Sequence, residues 1–206
     1  MRAFRATLGP LSVLNEHLPE DEVVAAEPGP ESFSWRAILE IVQALALAVI
    51  ISVFLNLFVV QVTEVRQRSM EPTLLQSDRV LVSKIDYRLG RPQSGDVVVF
   101  NPTSDTSIPF VKRVVAIAGD VIDLREGQLY VNGSASDFPE AKGVTAPQSP
   151  QIVYPYTIPD GQFFAMGDNR AASSDSRSFG SQPYDRIIGK VIVRFWPFDR
   201  LRFFEW

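Results

Sequence analysis

Cysteine is absent from the 206 residues of this chain, and histidine occurs only once, as His17. Without cysteine the chain has no disulfide, no thiolate nucleophile and no cysteine zinc site. His17 lies ahead of a long apolar segment, so the part of the chain that follows that segment contains no histidine. These absences exclude a Ser-His-Asp triad, a Cys-His pair and a two-histidine zinc site from that part.

Charge is also missing from residues 41–63, between Glu40 and Glu64. An uncharged apolar stretch of this length can span a bilayer as a helix, whereas a buried core helix, the alternative, seldom runs so far without a charge. A cleaved signal peptide would begin nearer the N-terminus and have a shorter apolar core. We therefore predict a retained transmembrane helix over residues 36–62. Because the span contains no Asp, an intramembrane aspartyl pair is excluded.

The remaining chain divides into a tail and one enzyme-sized domain. Residues 1–35 are rich in proline, contain an acidic patch and show no sustained apolar period, which predicts a disordered tail. In residues 63–206, short β-branched runs alternate with Gly, Pro and Asn turn signals, which predicts a mainly β domain, either a sandwich or a partly closed barrel. The proline-rich residues 138–159 are predicted to form a long irregular loop. The predicted strands are Arg79–Ile85, Asp96–Phe100, Phe110–Ile117, Val121–Leu124, Gln128–Val131, Gln162–Met166 and Ile187–Trp196.

If the β domain is a protease, its general base must be a lysine or a carboxylate. A lysine is a base only when neutral, and burial among apolar residues lowers its pKa towards neutrality. Of the four lysines in the chain, Lys112 has the most apolar flanks, although Arg113 follows it directly. Strand alternation sends these two side chains to opposite faces, so Lys112 can be buried while Arg113 reaches solvent or a carboxylate. The alternative is that Lys112 is a solvated edge residue.

Four segments, taken in order, resemble a type I signal peptidase. The first follows the apolar segment directly and resembles the nucleophile box of that family. The next two are similar to its strand pair and its base-bearing strand, and the fourth lies near the end of the domain. Together behind one apolar span they are specific, and they cover about residues 37–200. The segments are Ser69–Leu74, Asp78–Val98, Val111–Asp120 and Gly167–Gly180.

The resemblance implies a Ser-Lys protease that needs no cofactor. Ser69 would be the nucleophile and Lys112 the general base, with Ser173 hydrogen-bonded to the lysine amine. Asp175 and Arg177 match residues that support the site through a salt bridge. A surface pair of little energetic value is the alternative for these two.

The same correspondence implies a pocket for the small side chains that precede a cleavage site. Four apolar residues align with its lining, and their alternative assignment is simply to the core: Val65, Met70, Leu74 and Val111. The sequence departs from the family at Gln67, where well-known bacterial members carry a serine that donates to the oxyanion. The Gln67 amide has two N–H donors and could replace that hydroxyl, or it could point to solvent.

The expected partners are secretory preproteins and membrane lipid, with the protein acting as a monomer. The net charge of −4 gives no indication of nucleic-acid binding. Arg66 and Arg68 follow the span while only Arg36 precedes it closely, so the positive-inside rule favours a cytoplasmic β domain; the resemblance favours the extracytoplasmic side. Aromatic and basic residues 195–206 suit the bilayer interface or ordinary core packing. An inactive scaffold with this fold and a self-cleaving repressor protease are the competing functions.

Overall fold

The computed structural model describes residues 35–103, 108–136 and 138–204, without the side chains of residues 88 and 89. The predicted tail therefore lies outside the described residues, apart from Trp35. The chain divides into two compact units, residues 1–43 and 44–206, and the boundary falls within the first helix.

Helix α1 spans Trp35–Phe58, and none of its residues is buried. It is long and apolar enough to cross a membrane, since 24 residues rise about 36 Å and a hydrocarbon core is about 30 Å thick. The helix ends four residues earlier than the predicted residue 62. Residues 60–64 form strand β1, Val60–Glu64, which pairs antiparallel with strand β2, Arg79–Ser83. Alternating β-branched residues in β1 favour a strand once a partner edge is available.

After α1, strands are the predominant regular structure of the described chain, so the predicted mainly β class is confirmed. The strands are β1, β2 Arg79–Ser83, β3 Val97–Phe100, β4 Phe110–Ile117, β5 Val121–Arg125, β6 Gln128–Val131, β7 Ser134–Ala135, β8 Tyr156–Thr157, β9 Gln162–Met166, β10 Gln182–Pro183, β11 Ile187–Trp196 and β12 Arg202–Phe203. Short α-helices occur at α2, Asp86–Leu89, and α3, Ser176–Phe179, and short 3₁₀ turns at Arg68–Met70, Arg170–Ala172, Tyr184–Arg186 and Phe198–Arg200.

Two antiparallel sheets organise these strands. The larger has the order β1-β2-β11-β3-β4-β9-β10, with β12 also paired to β11, and the smaller has the order β7-β6-β5-β8. Strand β4 is paired on both sides, by β3 and β9. It supplies Val111, Val114 and Val115 to three different hydrophobic clusters. A side chain in the middle of β4 therefore has buried surroundings on either face.

The predicted irregular loop, residues 138–159, contains only the two-residue strand β8 as a regular strand or helix. The loop is nevertheless attached to the large sheet. Lys142 forms a parallel bridge with Asn169, and the Gln148 amide Nε2 donates to the Ser173 carbonyl at 2.8 Å. The loop thus contacts the region of the fourth matched segment.

Candidate active site

Ser69 lies in the 3₁₀ turn Arg68–Met70, a few residues after β1. The turn is held in place because its last residue, Met70, and Leu74 after it are buried in the first hydrophobic cluster. Its backbone is tied to the fourth matched segment, since the Asn169 N–H donates to the Ser69 carbonyl at 2.9 Å. Ser69 is itself only 4% exposed. The turn therefore presents the hydroxyl from a fixed position.

Lys112 lies in the middle of β4, opposite Val98 of β3, and is 1% exposed. Its Nζ atom lies 2.6 Å from Ser69 Oγ and 4.9 Å from the centre of the Phe110 ring. Residues 69 and 112 are far apart in the chain, and the pairing of β4 in the sheet brings them together. The alternative of a solvated edge lysine does not hold.

Burial lowers the pKa of the Lys112 amine to about 8, because a charged amine is poorly solvated there. Two charges act in addition: Asp175 favours the protonated amine and raises the pKa, and Arg177 lowers it. At a pKa of about 8, about a tenth of the amine is neutral at pH 7, far more than for an ordinary lysine.

Ser173 is buried close to this pair but does not form the predicted hydrogen bond. Its Oγ atom has no hydrogen-bond partner among the residues that the structure describes. It packs instead against Gly167, where an added Cβ atom would come within 2.3 Å of Ser173 Oγ and 2.4 Å of the Ser69 carbonyl oxygen. The role of Ser173 as an orienting group stays a prediction.

Gln67 precedes the 3₁₀ turn and lies at the site rather than in solvent. Its Oε1 atom accepts a long hydrogen bond, 3.4 Å, from Lys112 Nζ. The Gln67 side chain thus contacts the Lys112 amine, for which Ser173 was the predicted hydrogen-bond partner. No contact tests its predicted donation to an oxyanion.

Asp175 and Arg177 form a buried ion pair, so the surface-pair alternative is wrong. Their side chains are 0% and 1% exposed, and Arg177 Nε lies 2.8 Å from Asp175 Oδ1. Asp175 also accepts from the Gly167 N–H, and Arg177 Nη2 donates to the Arg170 carbonyl. The pair therefore holds the backbone of the fourth matched segment, directly behind Ser69.

A second buried ion pair was not identified from the sequence. Arg113 is buried too, and its guanidinium binds both oxygens of Asp168, with Nε–Oδ1 and Nη2–Oδ2 each 2.8 Å. The Thr73 hydroxyl donates to the same carboxylate. The sequence contained one indication of this cluster, since Thr73, Arg113 and Asp168 all fall within the segments that resemble the family. Asp168 thus links the base-bearing strand to the nucleophile segment.

An apolar cleft of about 310 Å³ opens beside Ser69. Three of the four predicted pocket residues line it, namely Val65, Met70 and Val111. Leu74 does not line it, because this side chain is fully buried in the cluster beneath. The cleft also includes Gln67 and residues of the edge strand β1.

A second depression, of about 320 Å³, lies on the Lys112 side of Ser69. Ser69, Gln67 and Arg66 line both the cleft and this depression, whereas Lys112 lines only the latter. Ser69 therefore borders two hollows, an apolar one and one that is lined by Lys112. Within the described ranges, no group of three or more His, Cys, Asp or Glu side chains could hold a metal ion.

Comparison with known proteins identifies relatives over most of the chain. Residues 38–196 match the family model described as signal peptidase, peptidase S26. A probable signal peptidase I-2 of Synechocystis sp. is 35% identical over 91% of this chain and 85% of the relative. Signal peptidase IB of Staphylococcus aureus is 34% identical over 81% or more of this chain and 94% of the relative. A solved signal peptidase I of Enterococcus faecalis is 26% identical, covers 49% of this chain and 97% of its own, and has a TM-score of 0.42.

Proposed function

Since the chain belongs to the signal peptidase family, peptidase S26, and is a serine endopeptidase, we propose that it removes N-terminal signal peptides from exported preproteins. Ser69 is the nucleophile and Lys112 the general base. The observation that carries this proposal is the 2.6 Å separation of Nζ and Oγ at a buried amine.

Catalysis begins with the neutral amine. The Ser69 hydroxyl donates to Lys112 Nζ, loses its proton to it and attacks the carbonyl carbon of the scissile bond. The protonated lysine then gives the proton to the leaving amine, so that an acyl-enzyme forms and the mature N-terminus departs. A water molecule activated by the same lysine hydrolyses the acyl-enzyme. Among the described residues, no other titratable group lies within hydrogen-bond distance of Ser69 Oγ. This supports the assignment of one base to both the formation and the hydrolysis of the acyl-enzyme.

The negative charge that develops on the carbonyl oxygen requires N–H donors. Ser69 is the second residue of its 3₁₀ turn, and backbone N–H groups at the start of a helical turn have no partner within it. The Ser69 N–H is therefore available to the oxyanion. The Gln67 amide is the proposed second donor: with its oxygen towards Lys112, its nitrogen offers two N–H groups to the same small volume.

Cleavage after small residues is the proposed specificity. The apolar side chains of Val65, Met70 and Val111 in the wall of the cleft beside Ser69 support it, because an apolar pocket accepts a short side chain such as alanine and selects by excluding larger ones. Leu74 supports this wall from beneath. The proposed partners are accordingly preproteins with small residues before the cleavage site, and the enzyme acts on them as a monomer.

The test is to incubate the purified full chain with a preprotein in detergent and to sequence the new N-terminus. Cleavage directly after the signal peptide is expected. An inactive scaffold would leave the preprotein intact, whereas a self-cleaving repressor-type protease would cut only its own chain. Either result would overturn the proposal.

We also propose that α1 anchors the enzyme in the cell membrane with the β domain on the extracytoplasmic side, where exported preproteins emerge. The exposed aromatic side chains of the C-terminal segment support contact with lipid: Phe198 and Phe203 are each 73% exposed. Protease added to intact spheroplasts should digest the β domain. Full protection until the spheroplasts are lysed would place the domain in the cytoplasm instead.

A lysine base predicts a specific pH dependence. Only the neutral amine accepts the Ser69 proton, and burial lowers the Lys112 pKa to about 8. The value of kcat/KM should therefore be low at pH 6, rise as the pH passes through about 8, and level off above it, where the amine is neutral. A profile that is flat between pH 6 and 10, measured while the protein stays folded, would rule out this base.

A further inference from the structure

The depression on the Lys112 side of Ser69 carries positive charge from two arginines. Arg66 and Arg68 line it beside Lys112, whose amine is neutral in the active enzyme, and its lining contains no carboxylate. Its remaining residues are neutral: Gln67, Ser69, Gln76, Phe110, Ala172 and Ser174. Arg68 is partly compensated by Glu71, 3.1 Å away, but no carboxylate pairs with Arg66 within the described residues. The Arg66 backbone is held because its carbonyl accepts from Gln76 Nε2.

The chemistry assigns this depression to one side of the scissile bond. The lysine that takes the Ser69 proton must pass it to the leaving amine, so the leaving chain lies on the side of Lys112. The residues before the bond then occupy the apolar cleft, which does not include Lys112. The first residues of the mature protein consequently pass beside Arg68, which lines only this depression, and beside Arg66, which lines both hollows.

We propose, on the basis of the function proposed above, that Arg66 is a specificity determinant that favours preproteins with an acidic residue among the first positions after the cleavage site. A carboxylate there forms an ion pair with an exposed guanidinium. Such pairs are weak and salt-sensitive, so the preference amounts to about two- to fivefold in kcat/KM. Because the pair exists before the transition state as well as in it, the change appears in KM while kcat stays the same.

The experiment uses the full chain in neutral detergent and three preproteins that differ only at the first two mature positions, which carry Glu, Gln or Lys. The wild-type enzyme should cleave them in the order Glu, Gln, Lys, and raised salt should compress the differences. Arg66→Gln should remove the ranking among the three substrates, and Arg66→Glu should reverse it. Arg79→Gln, which removes an exposed arginine of β2 that lines neither hollow, is the matched control and should keep the ranking.

The experiment distinguishes failure of the proposed function from failure of the role proposed for Arg66. If none of the three preproteins is cut, the proposed function itself fails. If all are cut at equal rates, or if moving the Glu to a position before the cleavage site gives the same benefit, the proposed function stands and the assignment of Arg66 is overturned. A variant that keeps the ranking but binds anionic lipid vesicles more weakly would show that Arg66 contacts lipid rather than substrate.

Discussion

Replacement of Lys112 by methionine is expected to reduce preprotein cleavage by about 10⁴-fold or more, the scale seen when the base of a serine protease is removed. Methionine keeps the length and apolar body of the side chain but has no amine. Ser69→Ala should cause a similar loss, because the described residues offer neither a second hydroxyl nor a second base at hydrogen-bond distance from this pair. The measurement is the initial rate of mature-protein release.

The fold should survive both substitutions. Lys112 is buried and makes no ion pair in the described chain, and the hydrogen-bond partners of its amine are the neutral side chains of Ser69 and Gln67. Exchanging the amine for a thioether therefore leaves no charge without a partner. Thermal unfolding followed by circular dichroism should show wild-type-like transitions. Lys142→Met, in the irregular loop, is the matched control and should keep wild-type activity. Substantial cleavage by Lys112→Met would show that another group is the base.

Asp175→Asn is expected to destabilise the domain by about 3–5 kcal/mol, since it leaves the buried Arg177 charge without its partner. Asparagine has the shape of aspartate but only one acceptor oxygen, whereas both oxygens of Asp175 accept hydrogen bonds, so loss of charge and of hydrogen bonds, not loss of packing, causes the effect. Asp123→Asn is the matched control: the Asp123–Arg125 pair has a similar length, 2.9 Å, but side chains that are 23% and 55% exposed. That substitution should cost less than about 1 kcal/mol. Urea unfolding of both variants measures the difference.

The same variant offers a readout that a merely structural role would not change. The Asp175 charge raises the pKa of Lys112, so removing it should lower that pKa further, and the midpoint of the rise in kcat/KM should lie at a lower pH in the folded fraction of Asp175→Asn than in the wild type. Replacing both residues of the pair by apolar ones should recover stability relative to Asp175→Asn. Equal destabilisation by Asp175→Asn and Asp123→Asn would contradict the buried pair.

Several features of this protein follow from local pattern. The charge-free stretch indicates a membrane-spanning helix, because a charged side chain within the bilayer is costly and such a span avoids it. The β-branched runs indicate strands, because their side chains fit a pleated surface. The absence of cysteine and the position of His17 leave a lysine or a carboxylate as the base. The order of the matched segments then selects Ser69 and Lys112. None of these inferences requires knowledge of which strands are neighbours.

Other features depend on contacts between segments far apart in the chain. Residues 60–63 continue the uncharged stretch, yet they belong to strand β1 because the edge of β2 is available to pair with them. Strand alternation predicted opposite faces for Lys112 and Arg113, but not that both would be buried, because the elements that cover each face come from elsewhere. Arg113 is buried in an ion pair with Asp168. Leu74 packs in the first hydrophobic cluster and does not line the cleft. The alternation of a strand decides only which face a side chain lies on; whether that face meets water, a carboxylate or another apolar surface is decided by packing between distant segments.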